Sequence, residues 1–291
     1  MRNLKIFCFG FGQVAKNFIK KLESKNISYK LSATSRHESE IRKFEKKNYQ
    51  SFKFNEQDYD ENLLKDLEES EYILISISPK NGKDIVIKNF GDKLNNPKFK
   101  WITYLSATSV YGNHDGKWVD EKSETKPTSI SGVERLEAEK DWLRLYKQHD
   151  CPVQIFRLSG IYSDQYNILR RLKSGEAKIV NKKDHFFSRI HVDDIANVLY
   201  QSLDILKKGE VYNISDDRPA SNEEVIMHGI KLLGIEKPGI LEINDIQSEM
   251  LKNFYKDSKK VSNKKMKNFF KLSLKFPTFV EGLNYINNNS I

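Results

Sequence analysis

At 291 residues and 38% hydrophobic composition, the chain can bury a sizeable core, and it has no apolar run of about 18 residues, which excludes a helical membrane span. Its formal net charge is +9, but the lysines are spread and no recognition helix or aromatic RNA-binding motif accompanies them. A lysine-rich solvated surface is therefore favoured over a nucleic-acid binder, and a basic rim also suits an anionic cofactor or substrate. The two cysteines, Cys8 and Cys151, read as free buried thiols of a reducing, cytoplasmic compartment; their spacing supports no metal site, and the N-terminus enters a strand without a signal-peptide pattern.

The first element is the apolar run Leu4 to Phe9, of strand length. It passes through Gly10-Phe11-Gly12-Gln13-Val14-Ala15 into a segment whose Val14, Phe18, Ile19 and Leu22 share one helical face. Strand, glycine turn and helix together form the context of a dinucleotide-binding fingerprint. Gly10 permits the tight turn, Gly12 lets the backbone approach a pyrophosphate, and Ala15 keeps helix and strand close. The helix N-terminus offers free N–H groups and a partial positive charge to the phosphates, which places Gly10, Phe11, Gly12, Gln13 and Val14 at a cofactor. An ordinary glycine turn opening a parallel α/β sheet has the same spacing.

The second strand, residues 29–34, ends before Ser35 and Arg36, where a dinucleotide fold reads the adenosine ribose. A hydroxyl and a guanidinium here, in place of an acid, suit a 2′-phosphate and favour NADP(H) over NAD(H). Residues 38–47 read as a charged helix, 50–54 as a third strand, and Asn55 to Asp58 as a polar loop toward the adenine edge. The strand 72–77 runs to Ser78; Ser76 and Ser78 either border the cofactor or only end the strand. Trp101 to Leu105 is a buried strand, and Ser106 through Gly112 crosses its C-terminal edge, with Ser106 beside the cofactor. Asn113 to Trp118 is a polar loop, and a helix runs from Ser131 to His149.

The ordered segments GFGQVA, YLSATSVYG, IFRLSGIY (155–162), FSRIHVDDIA (187–196) and VYNISDD (211–217) resemble an extended short-chain dehydrogenase/reductase, in particular its NAD(P)-dependent epimerase/dehydratase-like branch. Residues 259–270 and 276–283 are similar to that family's closing helices. The resemblance implies an α/β fold: a Rossmann doubly wound parallel sheet with a smaller C-terminal substrate lobe. It gives a Rossmann domain of 1–162 and 188–216 and a substrate lobe of 163–187 and 217–291. It implies that Asp193 or Asp194 caps a helix. It also implies a homodimer through helices flanking the sheet, including the one starting near Ser131.

In that family a serine or threonine holds the substrate oxygen and a tyrosine exchanges a proton with it. A lysine four residues on lowers the tyrosine's pKa and binds the nicotinamide ribose. This sequence departs from all three. Alignment on Val110-Tyr111-Gly112 puts Ala107 at the hydroxyl position, flanked by Ser106 and Thr108. Alignment on Ala138-Glu139 puts Ser131 at the tyrosine and Arg135 at the lysine position. The Tyr49/Lys53 and Tyr255/Lys259 spacings match by chance. Arginine stays charged and accepts no proton, though it can hold a ribose, phosphate or carboxylate. The catalytic candidates are then Tyr111, Thr108 and His114; Tyr111 is also an ordinary packed aromatic, and His114 an ordinary loop residue. Trp118, Tyr162 and Arg189 are candidate substrate contacts, and Arg157 is either another or a structural ion-pair partner.

Two readings stand. One is an NADP(H)-dependent oxidoreductase or epimerase-like enzyme acting on a small polar, phosphorylated or nucleotide-linked substrate through a non-standard active site. The other is a non-catalytic NADP(H)-binding redox sensor or partner-binding module.

Overall fold

The computed structural model describes residues 3–182, 184–248, 252 and 255–290. The chain divides into two compact units, one of residues 1–106, 133–157 and 196–212, the other of 107–132, 158–195 and 213–291.

In chain order the elements begin with β1 (Asn3–Phe9), α1 (Gln13–Ser24), β2 (Ser28–Ser35), β3 (Glu40–Phe44), β4 (Lys47–Lys53), α2 (Asn62–Glu69), β5 (Tyr72–Ile75), α3 (Ile85–Phe90) and β6 (Trp101–Ala107). They continue with β7 (Trp118–Val119), α4 (Ile130–His149), β8 (Val153–Leu158), β9 (Gly160–Tyr162), α5 (Ile168–Lys173), β10 (Ile179–Asn181), β11 (Arg189–His191), α6 (Val192–Ser202), β12 (Glu210–Ile214) and α7 (Asn222–Leu233). Two further short strands, Ile240–Glu242 and Lys260–Val261, and the helices Lys264–Phe270 and Phe279–Ser290 follow.

The central sheet has eight strands in the order β12-β8-β6-β5-β1-β2-β4-β3. Strand β1 lies parallel to both β2 and β5, β2 to β4, and β5 to β6. The chain winds outward from β1 in both directions, which is the doubly wound Rossmann topology. Its inner strands are buried: all four residues of β5 and all six of β8 lie out of solvent, the polar Gln154 and Arg157 of β8 bonded to Thr103 and Glu139. The first unit's core is strongly aromatic, with Phe7, Phe9, Phe52, Phe54, Phe90 and Trp142 packed together. The second unit holds smaller clusters, one joining Tyr162 and Leu169 to Val225, Phe279 and Leu283.

The expected helix over 38–47 is absent; the segment is an antiparallel hairpin, β3 against β4. Phe44 pairs with Lys47 across a two-residue turn in which Glu45 takes a φ of 50°. The Phe11 ring packs against Phe44 at 5.1 Å and Tyr49 at 4.9 Å between centroids. A short turn and aromatic packing override the helical composition of the charged residues.

Candidate functional site

The glycine turn follows from three side chains closing around β1's exit. The Gly10 N–H donates to Thr34 Oγ1 at 2.9 Å, and Ser76 Oγ donates to the carbonyls of Phe9 and Gly10 at 3.1 and 3.0 Å. Gly10 has a φ of 84°, and a Cβ there would stand 2.7 Å from Ile77 Cγ2 and 2.9 Å from Ser76 Oγ. Glycine is therefore required by both backbone and packing. Gly12 differs. Its φ is −83°, and a Cβ would meet nothing within 4 Å. Neither conformation nor packing within the chain explains a glycine there.

Gly12 is the N-cap of α1, makes no side-chain cap, and no acidic residue follows in the first turn. The Val14 N–H, in the first turn, lies ahead of the intrahelical hydrogen-bond ladder by geometry. Val14 and Ala15 are buried against the sheet, and Gln13 is half-buried. Such a terminus could hold an anion: its partial positive charge favours one, and the space over Gly12 is open.

At the end of β2, Ser35 Oγ accepts the N–H of His37 at 3.3 Å, an ST-turn that bends the chain after the strand. Arg36, on this bend, is exposed. Asn55 Oδ1 accepts the N–H groups of Gln57 and Asp58, which shapes the following polar loop.

Arg135 and Ser78 come together. Arg135 Nη2 donates to Ser78 Oγ at 2.7 Å and Nη1 to the Leu105 carbonyl at 2.9 Å, so the guanidinium ties α4 to the C-terminal ends of two strand segments. Ser106 is buried, and its Oγ has no hydrogen-bond partner among the described residues. Arg157 is a structural ion-pair partner: Nε and Nη2 reach the Glu139 carboxylate at 3.0 and 2.7 Å, with both side chains buried. Removing one partner of such a pair leaves an uncompensated buried charge. Sequence reasoning missed Thr34 and Glu139, whose roles depend on pairings 24 and 18 residues apart.

In the second unit, Thr108 opens a short 3₁₀ turn, Thr108–Tyr111, and is half-buried. Tyr111 is fully buried, and its hydroxyl donates to Asn213 Oδ1 at 2.8 Å. The phenol is thus enclosed by the fold, with its proton directed to an amide oxygen. His114 Nε2 lies 3.1 Å from the carbonyls of Tyr111 and Glu124. Both are acceptors, so this nitrogen carries the proton and staples the loop.

Ser131 is exposed at the start of α4, its Oγ 3.4 Å from Ser129 Oγ. Trp118 is 58% exposed. Tyr162 is buried, and burial together with the Asp216 and Asp194 carboxylates pushes its hydroxyl's pKa up. A Cβ at Gly282 would fall 2.0 Å from the Tyr162 hydroxyl, so that glycine makes room for it. Arg189 Nη1 donates to the carbonyls of Phe187 and Ala220, both at 3.1 Å. Burial pushes the Arg189 pKa down, and the charge of Asp216 opposes that shift. Asp194 accepts the N–H groups of Lys275 and Phe276 at 2.6 and 3.0 Å and so clamps a distant segment, while Asp193 pairs with Lys275. Among the described residues no group of three His, Cys, Asp or Glu side chains could hold a metal ion, and no helix is long and apolar enough to cross a membrane.

No family model matches the chain. Over 140 residues it is 29% identical to the protein YeeZ of Escherichia coli K12 and of strain O157:H7, which is 47% of this chain and 47% of each relative. The chain thus spans about half the length of the curated relatives it matches. Among solved structures, a functionally unknown conserved protein of Silicibacter pomeroyi is 29% identical with a TM-score of 0.86, covering 100% of this chain and 99% of that one. The UDP-glucuronic acid 4-epimerase of Bacillus cereus, solved with NAD, is 18% identical with a TM-score of 0.77 and full coverage of both chains. The dTDP-glucose 4,6-dehydratase of Bacillus anthracis, also with NAD, is 20% identical with a TM-score of 0.75, covering 99% of this chain and 96% of that one. The chain shares its fold with these epimerase and dehydratase structures.

Proposed function

We propose that this protein binds a nicotinamide dinucleotide at the opening glycine turn and acts as an oxidoreductase or epimerase-like enzyme on a small, polar, phosphorylated substrate. The observation that carries the cofactor reading is Gly12. It stands at the N-cap of α1 with ordinary φ and open space where a side chain would be. A glycine that the chain itself does not need fits a site that an outside group must approach closely. The first-turn N–H groups of α1 would hold the pyrophosphate. Arg36 would meet a 2′-phosphate, which favours NADP(H), whereas the epimerase and dehydratase neighbours were solved with NAD. The bound dinucleotide would supply hydride transfer.

The chain's own contribution is then to bind and orient. With Ser131 and Arg135 at the positions where the family carries tyrosine and lysine, and Tyr111 enclosed, Thr108 and Ser131 are the hydroxyls left to hold a substrate oxygen. The same replacements favour a second reading, a redox sensor that binds the dinucleotide without turning it over. Single-turnover oxidation of NADPH across carbonyl substrates separates the two. Stereospecific turnover slowed at least tenfold in Thr108→Val supports the enzyme; tight binding with no turnover on any of them supports the sensor. Failure of the folded protein to bind either dinucleotide removes both.

A further inference from the structure

Strand β3 ends the central sheet, and no strand among the described residues pairs with its outer edge. Which of its backbone groups face that edge follows from β4 and the residue after it. The Phe54 N–H donates to the Ser35 carbonyl of β2 at 2.8 Å, and the Lys53 N–H donates the other way, to Ser39 Oγ, at 2.9 Å. Backbone groups alternate in direction along a strand, so Gln50 faces β2 while Tyr49 and Ser51 face β3. Tyr49 stands opposite Arg42 and Ser51 opposite Glu40, so these are the pairs that exchange the hairpin's hydrogen bonds. Ile41, opposite Gln50, and Lys43, opposite Asn48, therefore turn their N–H and C=O groups outward. Glu40 to Phe44 run in unbroken register, with neither a proline nor a bulge to blunt the edge.

The side chains of β3 divide by face. Glu40 and Arg42 share one, where Arg42 Nε donates to Glu40 Oε1 at 2.8 Å. Ile41 and Lys43 share the other, across from the polar Gln50 and Asn48. Ile41 is 70% exposed, a β-branched residue well suited to a strand but with only polar cross-strand neighbours of its own. An exposed, unblunted edge with an apolar residue at its middle is a template for a further strand.

We infer that β3 pairs antiparallel with β3 of a second copy of this chain, about a two-fold axis at Ile41, joining the two eight-stranded sheets into one. Charge selects this register. An axis between residues would set outward backbone groups against inward ones. An axis at Glu40, Arg42 or Lys43 sets that residue against its own copy, like charge against like, and an axis at Phe44 sets Arg42 against Lys46. An axis at Ile41 sets Ile41 against Ile41, each N–H donating to the other's carbonyl. It also sets Glu40 against Arg42 on both sides of the axis, and Lys43 against the uncharged Ser39. The Glu40–Arg42 pairs fall at the non-hydrogen-bonded positions, where the Cα atoms stand about 4.5 Å apart and side chains meet most closely.

The test is sedimentation velocity of the full chain over a concentration series, with urea unfolding of each variant as the check that it is folded. The expected result is a monomer–dimer equilibrium with a dissociation constant on the order of 10 µM, because an interface of one strand lies at the small end of the size range. Ile41→Lys should weaken the dimer roughly tenfold or more, by setting two cations against each other at the axis. Glu40→Arg and Arg42→Glu should each be monomeric alone, since each gives the facing pairs a single sign, and should associate when mixed, since the pairs then regain opposite signs. A purely structural role for these two residues would not produce that rescue, and the mixing experiment stands without Ile41→Lys. A wild type that stays monomeric up to about 100 µM would overturn the proposal. So would a dimer unchanged in Ile41→Lys, or charge variants that fail to associate on mixing. A dimer lost in Ile130→Lys, at the exposed start of α4, but kept in Ile41→Lys would place the interface on that helix and overturn it too.

Discussion

The glycine turn of the first unit and the His185 cavity of the second are made of different material. The turn is backbone: a left-handed glycine, an open N-cap and helix N–H groups, with no charged side chain in the six residues from Gly10 to Ala15. The cavity, lined in part by Lys182, His185 and the Ser221 N-cap of α7, combines a helix terminus with an ammonium and a buried imidazole. A backbone site gives up little when side chains change but fails when a Cβ intrudes. A side-chain cluster has the opposite sensitivities, and it is tuned by pH.

The sharpest way to break that comparison lies within the turn. Gly10→Ala forces a Cβ into Ile77 and Ser76 at a φ of 84°, and should cost about 3 kcal/mol of stability in urea unfolding. Gly12→Val should change stability by under about 1 kcal/mol, because the space is open, but should weaken dinucleotide binding on the order of 100-fold. If Gly12→Val unfolds the protein, Gly12 is architectural after all.

On the cavity side, a neutral buried imidazole makes stability depend on acid. With burial and then Lys182 holding the His185 pKa down to about 4 in the folded chain, against near 6.5 unfolded, the unfolded state takes up the proton first. Stability should therefore fall as pH drops below about 6.5, by roughly 3 kcal/mol on reaching pH 4, and His185→Gln should flatten that limb relative to wild type. Parallel pH profiles for the two proteins would contradict a neutral, buried ring. The smallest expected effect is at the bend after β2: Arg36→Ala should weaken NADPH binding about tenfold in a fluorescence titration and leave NADH unchanged, the loss of one charge-assisted contact.

How much of this was legible in the sequence depends on whether the signal was local. Strand, glycine turn and helix over residues 4–22 lie within one contiguous pattern, and β1, the turn and α1 follow it. The long α4 follows the Ser131 to His149 pattern to within a residue. The 38–47 segment was misread because its charges suit a helix, while its fate depends on Phe11, which lies more than 25 residues earlier in the chain and packs on Phe44 and Tyr49. Arg135 was placed by alignment, but its bonds to Ser78 and Leu105 come from residues 57 and 30 positions away. Tyr111 looked available because the sequence does not show that Asn213, 102 residues on, takes its hydroxyl. His185 gave no signal at all. Inside a lysine-rich stretch it reads as a surface residue, and only the fold encloses it with Phe187 and Tyr255.

The central claim is that the opening turn is a dinucleotide site. The measurement that tests it most directly is a paired fluorescence titration with NADPH and NADH on the wild-type protein and on Gly12→Val, each with its unfolding curve. The account predicts tight NADPH binding by the wild type, lost in a Gly12→Val protein of unchanged stability. Binding of neither dinucleotide by the folded wild type, or equal binding by wild type and Gly12→Val, would contradict it.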